Sequence, residues 1–290
     1  MVAAATTNPH HRLHRCATCG HAFVSPSDLH EDENKSVQLE YFSENFAGRE
    51  SFFITLYEGL IARRTARALK LEQRSRVLEI GPGSGFMMRW FANLGHDVLG
   101  LDLSPAVARH IRQRWHLRVM VESLEAHIHS VGEGVYDAII MRHVLEHFSD
   151  PLLSLEAACA ALKPGGKLYI AVPNMDSWHR HFRGWSGYEP YHVHYFGNAS
   201  LSLALRRAGF DVLETATYES LSGWPNTITR SLDRRGTRHA GVPVRRDGWK
   251  RWALESVRLI LGVMLSPLRW LQACLRRGEE LTAISVRTVA

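Results

Sequence analysis

A short apolar run that ends in three closely spaced glycines limits this chain more than any other stretch. Arg76–Ile80 reads RVLEI and is followed by Gly81-Pro82-Gly83-Ser84-Gly85. The run lacks the alternation of a half-exposed strand and predicts a buried one, the kind found in parallel sheets. Glycines after such a strand let the backbone turn sharply and bring amides to a ligand, and the helix N-terminus beyond adds a partial positive charge. A small-molecule site at the carboxyl end of a parallel strand follows.

The neighbouring residues narrow the ligand. A dinucleotide site asks for GxGxxG, whose last glycine lets helix and strand close over a pyrophosphate. Here that position is Phe86, and Glu79 sets a carboxylate before the turn, where it repels phosphate. The same carboxylate suits a ligand that carries an ammonium and a sulfonium but no phosphate. Asp102, at the end of the next apolar run, can accept hydrogen bonds from both ribose hydroxyls. An acid there also fits NAD, but together with Glu79 and the glycine spacing it favours S-adenosylmethionine.

The rest of the chain alternates between the two periods. A helix is predicted from about Arg49 to Leu71, with Phe52, Phe53, Leu56, Leu60 and Ile61 at helical spacing. Strands are predicted at 76–80, 97–101, 118–121, 136–141, 167–172 and 210–218, with a last one at 281–289. Ser104-Pro105 and Asp150-Pro151 each pair an N-cap with a proline in the first helical turn. Helices between strands imply an α/β fold with a mostly parallel sheet covered on both faces. The expected organisation is a polar segment over 1–35, the α/β domain over 36–218 and 279–290, and a helical insert over 219–278.

Four motifs in order, EIGPGSG at 79–85, LD at 101–102, YDAIIMRHVLEHFSDP at 136–151 and LKPGGKLYIAVPN at 162–174, resemble the class I S-adenosylmethionine-dependent methyltransferases of the methyltransferase domain 23 type. The resemblance implies a Rossmann-like, seven-stranded sheet with its last strand antiparallel. It implies that Glu79, Gly81, Gly83 and Gly85 surround the methionine end of the cofactor, with Asp102 and Leu103 at the ribose. Glu122, Ser123 and Leu124 match the adenine-side loop, and Met141 and Arg142 match positions that meet the cofactor through their backbone. Tyr41 corresponds loosely to a residue that covers it.

Methyl transfer needs alignment of a nucleophile with the sulfonium methyl, and a base only if the nucleophile must lose a proton. Two segments beyond strand ends offer candidates. In His143-Val144-Leu145-Glu146-His147 a helix would put the three polar side chains on one face. The pattern also matches the HxxEH of inverted zinc peptidases, a reading disfavoured by its place inside the methyltransferase pattern. Some quinone-pathway O-methyltransferases of this fold hold a metal here, and Glu146 and His147 match that motif, with His143 in place of its first acid. No metal is assigned; His147 is a candidate base, and loop-pinning is the competing role. In Tyr188–Phe196, His192 fits the family's pattern of proline, histidine and aromatic, and its imidazole suits a base near neutral pH. Trp178, Trp185 and Tyr188 either line an apolar pocket or pack.

Cys16-Ala17-Thr18-Cys19-Gly20 resembles one knuckle of a zinc ribbon whose other pair is missing, and a degenerate ribbon is preferred to a zinc site because tetrahedral zinc needs four ligands. The net charge of +6 is uneven: Arg230 to Arg277 carries 12 Lys/Arg against three acids, a local +9 that leaves the remainder at −3. The same segment holds Leu259, Ile260, Leu261, Val263, Met264, Leu268, Trp270 and Leu271, with Pro267 expected to break the helix. It suits a membrane surface or a cap on the acceptor pocket, with packing on the sheet edge as the alternative and nucleic acid disfavoured. The N-terminus lacks a signal-peptide core, no apolar stretch nears the roughly 20 residues of a membrane span, and four scattered cysteines build no disulfide framework. A cytoplasmic enzyme, membrane-associated at most, is expected to methylate a small acceptor: an oxygen of a lipid-like, quinone-like or glycosyl molecule. The alternatives are carbon or nitrogen as the methylated atom, or a non-catalytic cofactor- or nucleic-acid-binding protein of the same fold.

Overall fold

A computed structural model of the chain describes residues 2–3, 8–25, 52–232, 256–257 and 260–288. Tyr41 and the part of the insert between 233 and 255 lie outside them. Three short strands come first, β1 (Val2–Ala3), β2 (Leu13–Arg15) and β3 (Ala22–Val24). The long helix α1 (Phe52–Leu69) follows. Its inward face is Ile61, Ala62, Thr65 and Leu69, whereas Leu56 and Leu60 are exposed. Of the apolar residues expected on one face, Ile61 is buried and Leu56 and Leu60 are not, so the core-facing stripe is offset from the expected one.

Next come β4 (Arg76–Ile80), α2 (Phe86–Asn93), β5 (Asp97–Leu101), α3 (Pro105–Trp115), β6 (Arg118–Met120), α4 (Leu124–Val131) and β7 (Tyr136–Arg142). After them run α5 (Pro151–Ala161), β8 (Leu162–Pro173), β9 (His194–Tyr195), α6 (Asn198–Arg207), β10 (Phe210–Tyr218), α7 (Gly223–Leu232), α8 (Ser266–Cys274) and β11 (Glu280–Arg287). The main sheet has the order β10-β11-β8-β7-β4-β5-β6, parallel through its centre and antiparallel at its end. This is the Rossmann-like, seven-stranded sheet expected. The chain runs outward from β4 through β5 to β6, then returns to β7 on the other side of β4. That reversal marks the carboxyl ends of β4 and β7 as the place where open α/β sheets bind ligands.

Both proline-led helices start where their caps predict. Ser104 Oγ accepts from the Val107 amide at 3.4 Å, and Asp150 Oδ1 from the amides of Leu152 and Leu153 at 3.1 and 3.0 Å. Such a cap stabilises a helix by about 1 kcal/mol. The strand expected at 167–172 is longer, because Lys163-Pro164-Gly165-Gly166 does not leave the sheet. Tyr136 pairs with Leu162 and Ala138 already with Lys167, so these residues bulge between two paired stretches. Lys163 Nζ holds the bulge to Asp137 Oδ1 at 2.7 Å.

The residues group into two compact units, each with its own core. One comprises Gln38–Ala171, Ser202–Thr215 and Ala283–Ala290. Val77, Ala138, Ile140 and Ala171 from the sheet meet Met88, Phe91, Val107 and Ile111 from the helices in its core. The other comprises Met1–Val37, Val172–Leu201 and Ala216–Thr282. In it β1, β2, β3 and β9 form a small sheet over Leu13, Ala22, Val24, Met175, Trp185, Tyr188 and Tyr195. Trp185 and Tyr188 are thus packing residues.

A buried polar network seats the insert in this second unit. His179 Nε2 donates to Glu219 Oε1 at 2.8 Å, and Thr227 Oγ1 lies 2.8 Å from its Nδ1. The Glu279 amide donates to Glu219 Oε2 at 3.0 Å, and Trp224 Nε1 donates to Gln272 Oε1 at 2.7 Å. Burial and the neighbouring Glu219 push the Glu279 carboxyl up.

Candidate functional site

Glu79 stands on the central strand, paired across to Gly100 of β5 and Ile140 of β7. Its side chain is buried at 4% exposure, and Oε2 has no hydrogen-bond partner among the described residues. Burial pushes its carboxyl up to about 8. Arg142 pulls the other way, Glu58 pushes further up, and the Met88 amide adds a smaller downward pull. Arg142 reaches Glu58 on α1 with Nη1–Oε distances of 3.0 and 3.2 Å. That pair offsets Glu58's repulsion and fixes the end of β7. A buried carboxylate oxygen without a partner is costly, and it marks where a cationic ligand group would be received.

The turn after Glu79 needs its glycines. Gly81 has φ +63°, donates to the Leu101 carbonyl at 2.8 Å, and a Cβ there would fall 2.6 Å from Val144 Cγ2. At Gly85, φ +77°, a Cβ would fall 2.9 Å from Trp115 Cδ1. Trp115 closes the turn from outside: its Nε1 donates to the Ser84 carbonyl at 2.9 Å and its ring meets Phe86 at 5.6 Å. Phe86, the residue that breaks the dinucleotide pattern, is therefore part of this brace. Gly83 shares the left-handed backbone at φ +52°.

At the end of β5, Asp102 Oδ1 accepts from the Ser104 amide at 2.8 Å. Burial pushes this carboxyl up to about 6 against that amide. Leu103 beside it is 69% exposed. Ser123 caps α4, its Oγ accepting from the Ala126 amide at 3.2 Å, and Leu124 is buried. Ser123 can therefore offer a ligand its backbone more readily than its hydroxyl. Met141 is fully buried and pairs with Ile80 and Ile170 near the carboxyl end of β7. Glu79, the glycine turn, Met141 and Arg142 thus cluster at the ends of β4 and β7, with Asp102 and Leu103 one strand away.

The segment after β7 is not the expected helix. His143 sits at φ +53°, its amide donating to the Ala171 carbonyl at 2.8 Å, and only Leu145–His147 forms a single 3₁₀ turn. An α-helical HxxEH face does not form, because the left-handed residue turns the chain at its first position. Glu146 is fully buried, with Oε1 3.5 Å from His143 Nδ1, and His147 is half-buried with its amide on the Val144 carbonyl at 3.0 Å.

In the second unit, His192 is buried and its Nδ1 donates to the Gly187 carbonyl at 2.9 Å. That bond fixes the tautomer and puts the lone pair on Nε2, the form a base requires. The Tyr195 hydroxyl donates to the His192 carbonyl at 3.0 Å, and burial drives that phenol far above its ordinary range. Cys16 and Cys19 occupy the turn between β2 and β3, closed by Cys16 amide to His21 carbonyl at 2.8 Å. The Cys19 and Thr18 amides hold the Cys16 thiol down to about 7. Among the described residues, no group of three possible metal ligands includes either cysteine. No helix of the described residues is long and apolar enough to cross a membrane.

Comparison with known proteins follows the same lines. A methyltransferase-domain family model matches residues 53–215, more than half of the chain. The ubiquinone biosynthesis O-methyltransferase of Xanthomonas campestris pv. campestris is 32% identical over 106 residues, 34% of this chain and 44% of that protein. The match spans less than half the length of such curated relatives. Among solved structures, a SAM-dependent methyltransferase from Archaeoglobus fulgidus is 16% identical with a TM-score of 0.54, over 84% of this chain and 97% of that one. The 1,6-didemethyltoxoflavin-N1-methyltransferase of Burkholderia thailandensis is 18% identical with a TM-score of 0.54, over 96% and 99%. At these identities the two structures share the fold.

Proposed function

This chain belongs to the methyltransferase-domain family and is an S-adenosylmethionine-dependent methyltransferase, and on that premise we propose that it methylates an oxygen of a small lipid-like, quinone-like or glycosyl acceptor. The observation that carries the cofactor site is the buried, unpartnered oxygen of Glu79 at the head of a turn that has no room for Cβ atoms. These residues fit the cofactor: an acid for the ammonium, a left-handed glycine turn for the methionine chain, and a second acid one strand away for the ribose. When bound, S-adenosylmethionine supplies a methyl group already activated by its sulfonium. The chain's own work is to hold and to align.

In this reading Glu79 receives the ammonium, Gly81, Gly83 and Gly85 make the turn around the methionine end, and Asp102 accepts from the ribose hydroxyls with Leu103 beside it. The backbones of Ser123, Leu124, Met141 and Arg142 border the remainder. His192 is the preferred base: its Nδ1 donates to the Gly187 carbonyl, which sets the tautomer that an imidazole base uses. His147 is the second candidate. Oxygen as the methylated atom is supported by the partial likeness to the ubiquinone biosynthesis O-methyltransferases.

Calorimetry with S-adenosylmethionine and S-adenosylhomocysteine tests the site, and labelled methyl transfer into a cell extract with mass analysis tests the acceptor. Binding of both ligands and a methyl ether or ester product are expected. Failure of both ligands to bind would sink the site assignment, and a methyl on nitrogen or carbon would replace the acceptor class.

A further inference from the structure

The helical part of the insert is built inside out. A helix on a water-facing surface buries its apolar stripe and exposes its polar one. In α8 the fully buried side chain is Gln272, held by Trp224 and Glu219, while Trp270 is 70% exposed. The preceding helical residues 260–264 do the same. Gly262 lies so close to the Leu221 backbone that a Cβ would fall 2.0 Å from its carbonyl oxygen, and Met264 points outward at 71% exposure. Pro267 sits in the first turn of α8 and separates the two pieces without removing a needed amide. Ile260, Val263, Met264, Trp270, Leu271 and Leu275 are all exposed in one short stretch of chain.

Charge says what would cover such a face. Residues 256–277 contain four arginines and no acid, within the segment of local charge +9. An acid-free apolar face with an exposed tryptophan, carried by a segment of strongly positive net charge, complements a surface that is anionic outside and apolar beneath. A second copy of the same face would bring like charges together. From the buried glutamine, the exposed apolar residues and this charge, we infer that residues 260–275 dock the protein on an anionic lipid bilayer, lying in its interface without crossing it. The inference goes beyond the methyl-transfer reading and would hold even for an acceptor that is not lipid-like.

The test is flotation of the full chain with vesicles of phosphatidylglycerol and phosphatidylcholine in equal parts, against phosphatidylcholine alone, at low and high salt. Association with the anionic vesicles is expected to fall by about tenfold or more without the anionic lipid or at high salt. The paired substitution Met264→Gln and Trp270→Gln should weaken it by about tenfold or more while leaving the melting temperature unchanged, since both side chains are exposed. Calorimetry of the same variant with S-adenosylhomocysteine should be unchanged. Loss of cofactor binding in the unsubstituted chain would count against the proposed function and leave the docking surface standing. No association, association indifferent to lipid charge, or association untouched by the substitutions would overturn the surface. So would a dimer in sedimentation velocity that the same substitutions dissociate, because a second copy would then cover the face.

Discussion

Glu79→Gln should make the free protein more stable and the cofactor weaker, and both magnitudes can be worked from the site. The carboxyl is pushed up to about 8 in the folded chain from an ordinary 4.5. A raised carboxyl binds more protons folded than unfolded between those values. Its contribution to stability is complete below about 4.5 and is lost as pH rises through 8. At pH 7 the wild-type chain has forfeited up to about 3 kcal/mol, taking 1.36 kcal/mol per unit over roughly 2.5 units. Glutamine is uncharged in both states and avoids that loss, so chemical denaturation at pH 7 should show the variant more stable by up to that amount, with the difference vanishing below pH 4.5. The cofactor gives the opposite sign. Removing a charge-assisted hydrogen bond to the ammonium should weaken S-adenosylhomocysteine by about 1.5–3 kcal/mol, roughly 10- to 150-fold. Because Glu79 must ionise to receive the ammonium, wild-type binding at pH 7 should release about 0.9 proton per ligand, and the variant close to none. Calorimetry in buffers of different ionisation heat reads that number directly. A variant that binds as tightly as wild type, or wild-type binding with no proton release, would refute the assignment of Glu79 to the ammonium.

Three further outcomes are expected. Gly81→Ala forces a left-handed alanine against Val144, and should destabilise the chain by about 1–3 kcal/mol with loss of cofactor binding, checked by thermal melting and calorimetry. His192→Asn should lower the methyl-transfer rate by about 10²–10⁴-fold while cofactor affinity holds; an unchanged rate would move the base to His147 or remove it. Gln272→Leu leaves the Trp224 indole unpaired in a buried place and should destabilise by about 1–3 kcal/mol in urea unfolding, with no effect expected if the network merely decorates the surface.

The centre of the sheet was readable because β4, β7 and β8 are buried on both faces and announce themselves as apolar runs, with Gly81 closing β4 and Asp102 closing β5. The caps were readable for a different reason: Ser104-Pro105 and Asp150-Pro151 encode hydrogen bonds made within four residues. What escaped depended on distant partners. α4 buries His127 between Glu122 and Tyr136, so its inward face reads as polar in sequence. The small sheet pairs Ala22 with Tyr195 across most of the chain, from strands too short to show alternation. The positive φ of His143 turned a helical spacing into a single tight turn, and no local residue type signals that. The Glu79 and Asp102 carboxylates and the glycine turn were legible as a set, whereas the His179–Glu219–Gln272 network carries no local signal.

Trp115 gives the glycine turn a property of its own. The guanidinium groups of Arg89 and Arg114 each lie 4.2 Å from its indole ring, while it holds Ser84 and crowds Gly85. On the proposed function, a turn clamped in this way would meet the cofactor without first having to order itself. An arriving cofactor then finds a rigid receptor, so association should follow a single kinetic phase, with little of the entropy loss that ordering a floppy loop imposes.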